Sequence, residues 1–262
     1  MTMPTLFVSH GSPMTAIQET PAHQFMKRLA GLLPRPKAIV VVSAHFTTHQ
    51  PAVVADPHPS MIYDFGGFPE ALSRIVYPAP GDPDLARRVA DLVTEAGLPV
   101  RIVPERGYDH GSWVPLSLIY PDATIPVVQL SIQPDRDTTH HYALGAALAA
   151  LRHDDILVLA TGAMTHNLME VMRGGLRDIA RPPEHWAVAF TDWIEAKAKA
   201  GAVDDLLRTM ELAPDGVRAH PDDDHFLPFF VALGAAGPNA KGTRIHASIE
   251  YGSLAMDTYR FD

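Results

Sequence analysis

Histidine is the residue whose placement in this chain points to chemistry. Fourteen of the 262 residues are histidine and none is cysteine. His10 closes the apolar run TLFVS, His45 closes AIVVVSA, and His166 follows DILVLA after a short glycine-containing turn. His110 and His225 stand where loops pass into helices, in YDHGSW and DDDHFLP. Such apolar runs read as strands buried on both faces of a parallel sheet. Ligands of open α/β sheets bind beyond the carboxyl ends of the strands, where helix amino ends also gather. A single hydrogen-bonded histidine at that edge is ordinary. Five placed by one topological rule are better explained as a cluster, and imidazole is the commonest metal ligand. The cluster therefore reads as a histidine-rich metal site.

The remaining histidines fit this rule less well. His49 and His58 lie in a long loop, and a place in the site is the weaker reading for both. His23, His140, His141, His153, His185, His220 and His246 are expected on surface helices or loops, solvated or structural.

Other chemistries are excluded or weak. Without cysteine there are no disulfides, thiolate metal sites or cysteine nucleophiles. Ser12, Ser43 and Ser112 neighbour histidines, but no G-x-S-x-G elbow is present, and Pro13 directly follows Ser12. No dinucleotide fingerprint follows the first strand and no P-loop occurs. A formal charge of -9 disfavours nucleic acid, whose phosphates it would repel. No apolar run approaches the ~20 residues of a membrane helix. The first residues lack a charged leader with a long apolar core, so a cytoplasmic location away from membranes is expected.

The elements that must position the histidines follow from periodicity. Strands are expected at 5–9, 38–43, 99–103, 125–132, 155–160 and 244–250. Helices are expected at 22–33, 83–96, 114–120, 140–152, 184–199 and 204–210. The segment 221–225 should open an apolar helix running to about Leu233, its aspartates capping free amides, with a start near Asp224 if Pro228 does not bend it. Residues 47–80, rich in Pro, Gly and aromatics, read as a long ordered loop, a kind that is usually functional. Phe65 and Phe68 from this loop, with Trp113, are possible ring contacts for a ligand or else plain core aromatics. No linker or repeat divides the chain. The expected fold class is α/β, one domain over 1–262 with a mostly parallel central sheet flanked by helices. The metal site would sit at the carboxyl edge of its strands.

Eight ordered motifs carry a resemblance that spans nearly the whole chain. They are Ser9-His10-Gly11-Ser12-Pro13, Ser43-Ala44-His45-Phe46, Asp64-Phe65-Gly66-Gly67-Phe68-Pro69 and Tyr77-Pro78-Ala79-Pro80-Gly81, then Asp109-His110-Gly111-Ser112-Trp113, Gln129-Leu130-Ser131-Ile132, His166-Asn167-Leu168 and His225-Phe226-Leu227-Pro228. Together they resemble the class III extradiol ring-cleavage dioxygenases, in particular the branch similar to 4,5-DOPA dioxygenase. The resemblance implies an oxidoreductase that opens a catechol with O2, beside its hydroxyls, to a muconate semialdehyde. It implies one divalent ion per chain, Fe(II) or Zn(II), on His10, His45 and His225. His166 would be the acid/base histidine, or a fourth ligand in some states, and His110 would contact substrate or oxygen. Better-studied members of the superfamily use two histidines and a glutamate, so His225 departs from the 2-His-1-carboxylate pattern. No Arg or Lys stands out as a binder for a substrate carboxylate. Two rival readings stay open, a zinc hydrolase and a non-catalytic metal-binding protein of the same fold. A homodimer is the default expectation for assembly.

Overall fold

Five apolar residues in a row, four of them β-branched, commit 38–42 to a strand covered on both sides. In the computed structural model, which describes residues 2–262, that strand is the middle of a large sheet. In chain order the strands are β1 (Thr5–Ser9), β2 (Ala38–Thr47), β3 (Ala52–Val54), β4 (Arg101–Val103), β5 (Val127–Ile132), β6 (Ile156–Gly162), β7 (Gly242–His246), β8 (Ile249–Glu250), β9 (Leu254–Ala255) and β10 (Thr258–Phe261). Eight of them form one sheet, ordered β4-β3-β5-β2-β6-β1-β10-β7. Its centre, β5-β2-β6-β1, is parallel throughout. Antiparallel pairing enters between β3 and β5, and where β10 joins β1 and β7.

The two faces of β2 bury different residues, as a period of two requires. Val40 and Val42 join the cluster covered by helices Pro83–Glu95, Thr138–Ala147, His185–Ala200 and Leu227–Ala235. Ile39 and Val41 join the opposite cluster, under helices Pro21–Leu29 and His110–Ile119. The molecule is thus a single-domain α/β sandwich with helices on both sides of a mostly parallel sheet. Among the described residues no helix is long and apolar enough to cross a membrane.

Several boundaries differ from expectation, each for a physical reason. The helix expected over 114–120 begins at His110, because Asp109 caps it by accepting from Ser112 N–H. The apolar helix expected from 221–225 begins at Leu227, with Pro228 in its first turn, where a missing N–H costs nothing. Its aspartates therefore precede the helix instead of capping it. The strand expected at 244–250 is broken into β7 and β8, and β8 pairs with β9 in a separate ribbon. The loop at 47–80 contains β3 and a short turn of 3-10 helix at Glu70–Arg74.

Candidate active site

Strand order brings three of the histidines side by side. The chain passes from β1 to β2 leaving a gap that β6 later fills, so the carboxyl ends of β2, β6 and β1 are neighbours. His45 lies within β2 itself, in an irregular stretch. Val42 pairs with Leu130 of β5 and Thr47 with Ile132, so five steps along β2 answer two along β5. A bulge of this kind re-aims side chains, and here it turns His45 toward the edge. His10 follows β1 and its N–H donates to Gly162 O at the end of β6, 2.9 Å away. His225, far along the chain, is held to the same strand end: Ala163 N–H donates to His225 O at 2.9 Å. A Cβ on Gly162 would lie 2.1 Å from that carbonyl oxygen, so only glycine permits the approach. Gly111 serves the same purpose on the other side, where a Cβ would lie 2.4 Å from Ser43 Oγ and 2.9 Å from His45 Cδ2.

All five edge histidines meet in one cavity of about 360 Å³. The Nε2 atom of His45 lies 3.1 Å from that of His10 and 3.3 Å from that of His225. The potential ligand atoms of His10, His45 and His110 form one tight group, and those of His166, Asp224 and His225 an adjoining one. His166 stacks on His225, ring centroids 3.6 Å apart and planes 11° from parallel. Burial, reinforced by repulsion from the neighbouring rings, keeps His10, His45 and His166 uncharged. His10 is lowered well below the usual histidine range, first by burial and then by His45. Burial, then His110 and His225, lower His45 to about 4; burial, then His225, lower His166 to about 3. Neutral imidazole is the form that can coordinate a metal.

A carboxylate that the sequence reading quoted in a motif but gave no role ties the rings together. Asp64 Oδ1 accepts from His110 Nδ1 at 2.8 Å and from His110 N–H at 3.1 Å, while Oδ2 lies 3.5 Å from His45 Nδ1. Partial burial would raise its pKa, but the His110 hydrogen bond and the nearby rings prevail and hold it at about 2. Being ionised, Asp64 can only accept, so the proton of His110 sits on Nδ1 and Nε2 is the free atom. Asp109 is a second unassigned carboxylate. It accepts from Ser43 Oγ at 2.7 Å and pairs with Arg106 at 2.7 Å, fastening the bulged end of β2 to the helix that begins at His110. Arg106 also donates to Gln129 Oε1 and covers the Phe46 ring, so its charge is spent on structure. The YDHGS pattern of an aspartate cap was the signal for Asp109. Nothing comparable marks Asp64.

Other expectations divide. Phe65 and Phe68 line the cavity, whereas Trp113 is fully buried in the core and donates to Ile62 O. His49 and His58 do not line it. His23, His141 and His220, expected on surface elements, are buried. They lie there because each ring finds a backbone partner: Thr15 O, Asp137 O and Met164 O respectively. His220 underlies the site, since Met164 sits between β6 and His166.

An α/β sheet with a knot of histidines at its carboxyl edge, a group that could hold a metal ion, beside a cavity walled by Phe65 and Phe68, defines the class of protein. Comparison with known proteins narrows that class. The model of the catalytic LigB subunit of aromatic ring-opening dioxygenase matches residues 4–261, and the chain belongs to that family. It is similar to 4,5-DOPA dioxygenase extradiol of Beta vulgaris, 42% identical over 98% of this chain and 96% of the relative. The Escherichia coli K12 protein of the same name is 41% identical, over 97% of this chain and 93% of the relative. A crystal structure of an uncharacterized Escherichia coli K12 protein superposes with a TM-score of 0.77 at 34% identity, covering 98% of this chain and 99% of that one. The chain is an extradiol ring-cleavage dioxygenase, an enzyme acting on a small molecule and O2.

Proposed function

We propose that His10, His45 and His225 hold one divalent metal ion through their Nε2 atoms, and that the whole chain acts as one catalytic domain opening a catechol ring. The observation that carries this reading is the pair of Nε2 separations at His45, 3.1 and 3.3 Å. Two nitrogens about 2.0–2.1 Å from one ion, at tetrahedral to right angles, stand roughly 2.9–3.4 Å apart. The buried Nδ1 atoms of His10 and His225 have no hydrogen-bond partner, and Asp224 Oδ1 lies 3.1 Å from the latter but out of line. A bond at Nε2 is the interaction that offsets the burial of these rings.

Fe(II) is the ion proposed for turnover, since it supplies the electron density that O2 activation needs, whereas zinc has no redox change to offer. The protein's own groups handle protons and position. Three neutral imidazoles leave positive charge at the centre uncompensated, which favours an anionic catechol. His166 is the base for the phenolic proton: it is neutral, and its burial makes the imidazolium a ready donor afterwards. His110, aimed by Asp64, presents Nε2 to the ring or to oxygen and is the second proton-handling group. Phe65 lies edge-on to His110, centroids 5.9 Å apart, and keeps water from that side. The relatives' shared name supports a catechol bearing a ring substituent as the substrate class, and a muconate semialdehyde is the product proposed with it. No Asp or Glu is among the residues lining the cavity, so the carboxylate base of an HExxH-type zinc hydrolase has no counterpart there. The test is anaerobic loading with Fe(II) or Zn(II), followed by catechols under oxygen. Oxygen uptake and a visible semialdehyde band are expected with Fe(II) alone; neither signal across a broad catechol panel would sink the proposal.

A further inference from the structure

A second hollow of about 320 Å³ opens directly off the histidine cavity. The two share Ser12, Phe68, Leu168 and Leu254 as walls, so they adjoin along one rim. Beyond that rim the hollow is lined by Val171, Met172, Leu176 and Tyr251. The segment after His166 builds it: Asn167 caps helix Leu168–Gly174, which turns Val171 inward and leaves Leu168 and Met172 along the opening. Leu168, Met172 and Leu176 are 51%, 63% and 62% exposed, an apolar surface left uncovered at the mouth of an active site. No Lys, Arg, Asp or Glu lines either space. Arg181 is nearby but donates to Tyr251 O and does not line the hollow.

We propose that this hollow is a substituent subsite, taking the hydrocarbon or aryl group carried by a catechol whose hydroxyls face the histidines. The proposal rests on the catechol reading above and refines it. A ring anchored at His10, His45 and His225 directs its far substituent away from the histidines, and the hollow is the apolar space that adjoins that cavity. A carboxylate or ammonium placed there would lose water and meet no opposite charge, only the hydroxyl-bearing Ser12 and Tyr251, so the amino-acid side chain of DOPA gains little from it. Hydrocarbon gains about fourfold in affinity per buried methylene.

The test is anaerobic calorimetry on the Fe(II)-loaded protein with catechol, 4-methyl-, 4-propyl- and 4-butylcatechol, and DOPA. Affinity should climb about fourfold per methylene, with an increasingly negative heat-capacity change. 4-Propylcatechol should bind more tightly than DOPA. Met172→Asp and Leu176→Asp, on exposed positions that tolerate charge, should each lower the butylcatechol-to-catechol affinity ratio at least tenfold. An affinity independent of chain length, a ratio unmoved by both variants, or DOPA binding most tightly would overturn the subsite. So would sedimentation showing a dimer that both variants dissociate, which would assign the face to a second copy. Binding is read without turnover. A steep chain-length series in a protein that consumes no oxygen would therefore refute the dioxygenase reading alone, and a flat series in an active enzyme would refute the subsite alone.

Discussion

Asp64→Asn separates the charge of this carboxylate from its shape. In the native protein Asp64 accepts two hydrogen bonds from His110, at 2.8 Å from Nδ1 and 3.1 Å from the backbone. Asparagine keeps an oxygen able to accept from Nδ1 but removes the negative charge that steadies a proton on His110. A charge-assisted hydrogen bond contributes about 1.5–3 kcal/mol, which corresponds to roughly 10–100-fold in rate. The same range is typical when the partner of a functional histidine is removed. Asp64 Oδ2 stands 3.5 Å from His45 Nδ1, too far for a full bond, so the ring of His45 should keep its orientation. The expected result is a 10–100-fold fall in kcat with bound metal, by elemental analysis, near the wild-type level. Because Asp64 is held ionised down to about pH 2, wild-type activity should show no limb from it above pH 4. Full activity in Asp64→Asn would refute the role given to His110. Metal loss as complete as in His10→Ala would show that Asp64 acts on the ion instead.

Further outcomes follow from the same geometry. His10→Ala, His45→Ala and His225→Ala should each lose bound metal, whereas His166→Ala should keep it and lose about 10²–10⁴ in turnover; metal loss in His166→Ala would make His166 a ligand. Gly162→Ala places a methyl 2.1 Å from His225 O. It should cost about 1–3 kcal/mol in urea unfolding and weaken metal binding, and an unchanged midpoint would contradict the close approach. His141 and His220 are lowered to about 4, chiefly by burial, while an unfolded histidine titrates near 6.5. Between those values the unfolded chain binds more protons, so stability should fall as pH drops from about 6.5 to 4. Each histidine contributes about 1.4 kcal/mol per pH unit, read by denaturation at pH 7 and 5; equal stability at both would oppose burial of the neutral rings.

The sheet was legible because strands such as β2, β5 and β6 are unbroken apolar runs, and a run buried on both faces has few other readings. The same runs made the edge histidines legible, since each stands near the end of a strand or the start of a helix. What stayed hidden depends on contacts between distant segments. The bulge that turns His45 arises from a mismatch in step with β5, which neither strand shows alone. Asp64 sits in an aperiodic loop, and its partner His110 is far away in sequence. The expected strand at 244–250 is split at Ala247–Ser248, after which Ile249–Glu250 turns at Tyr251, φ 50°, to pair with β9 and not with the main sheet. For Trp113 the sequence left a ring contact and a core aromatic both open, and on its helix that position faces the core. Polar residues mislead in the opposite direction: His141 and His220 read as surface residues because nothing in sequence announces the carbonyls that satisfy them.

The central claim is that these histidines direct ring opening beside the catechol hydroxyls with both atoms of O2. Turnover of a 4-substituted catechol under ¹⁸O2 by the Fe(II)-loaded enzyme, with mass analysis of the product, tests it most directly. The expected product is a muconate semialdehyde carrying two heavy oxygens, formed one for one with O2 consumed. With the aldehyde reduced at once by borohydride, so that its oxygen cannot exchange with water, an unlabelled product, a single label, or a diacid from cleavage between the hydroxyls would contradict it.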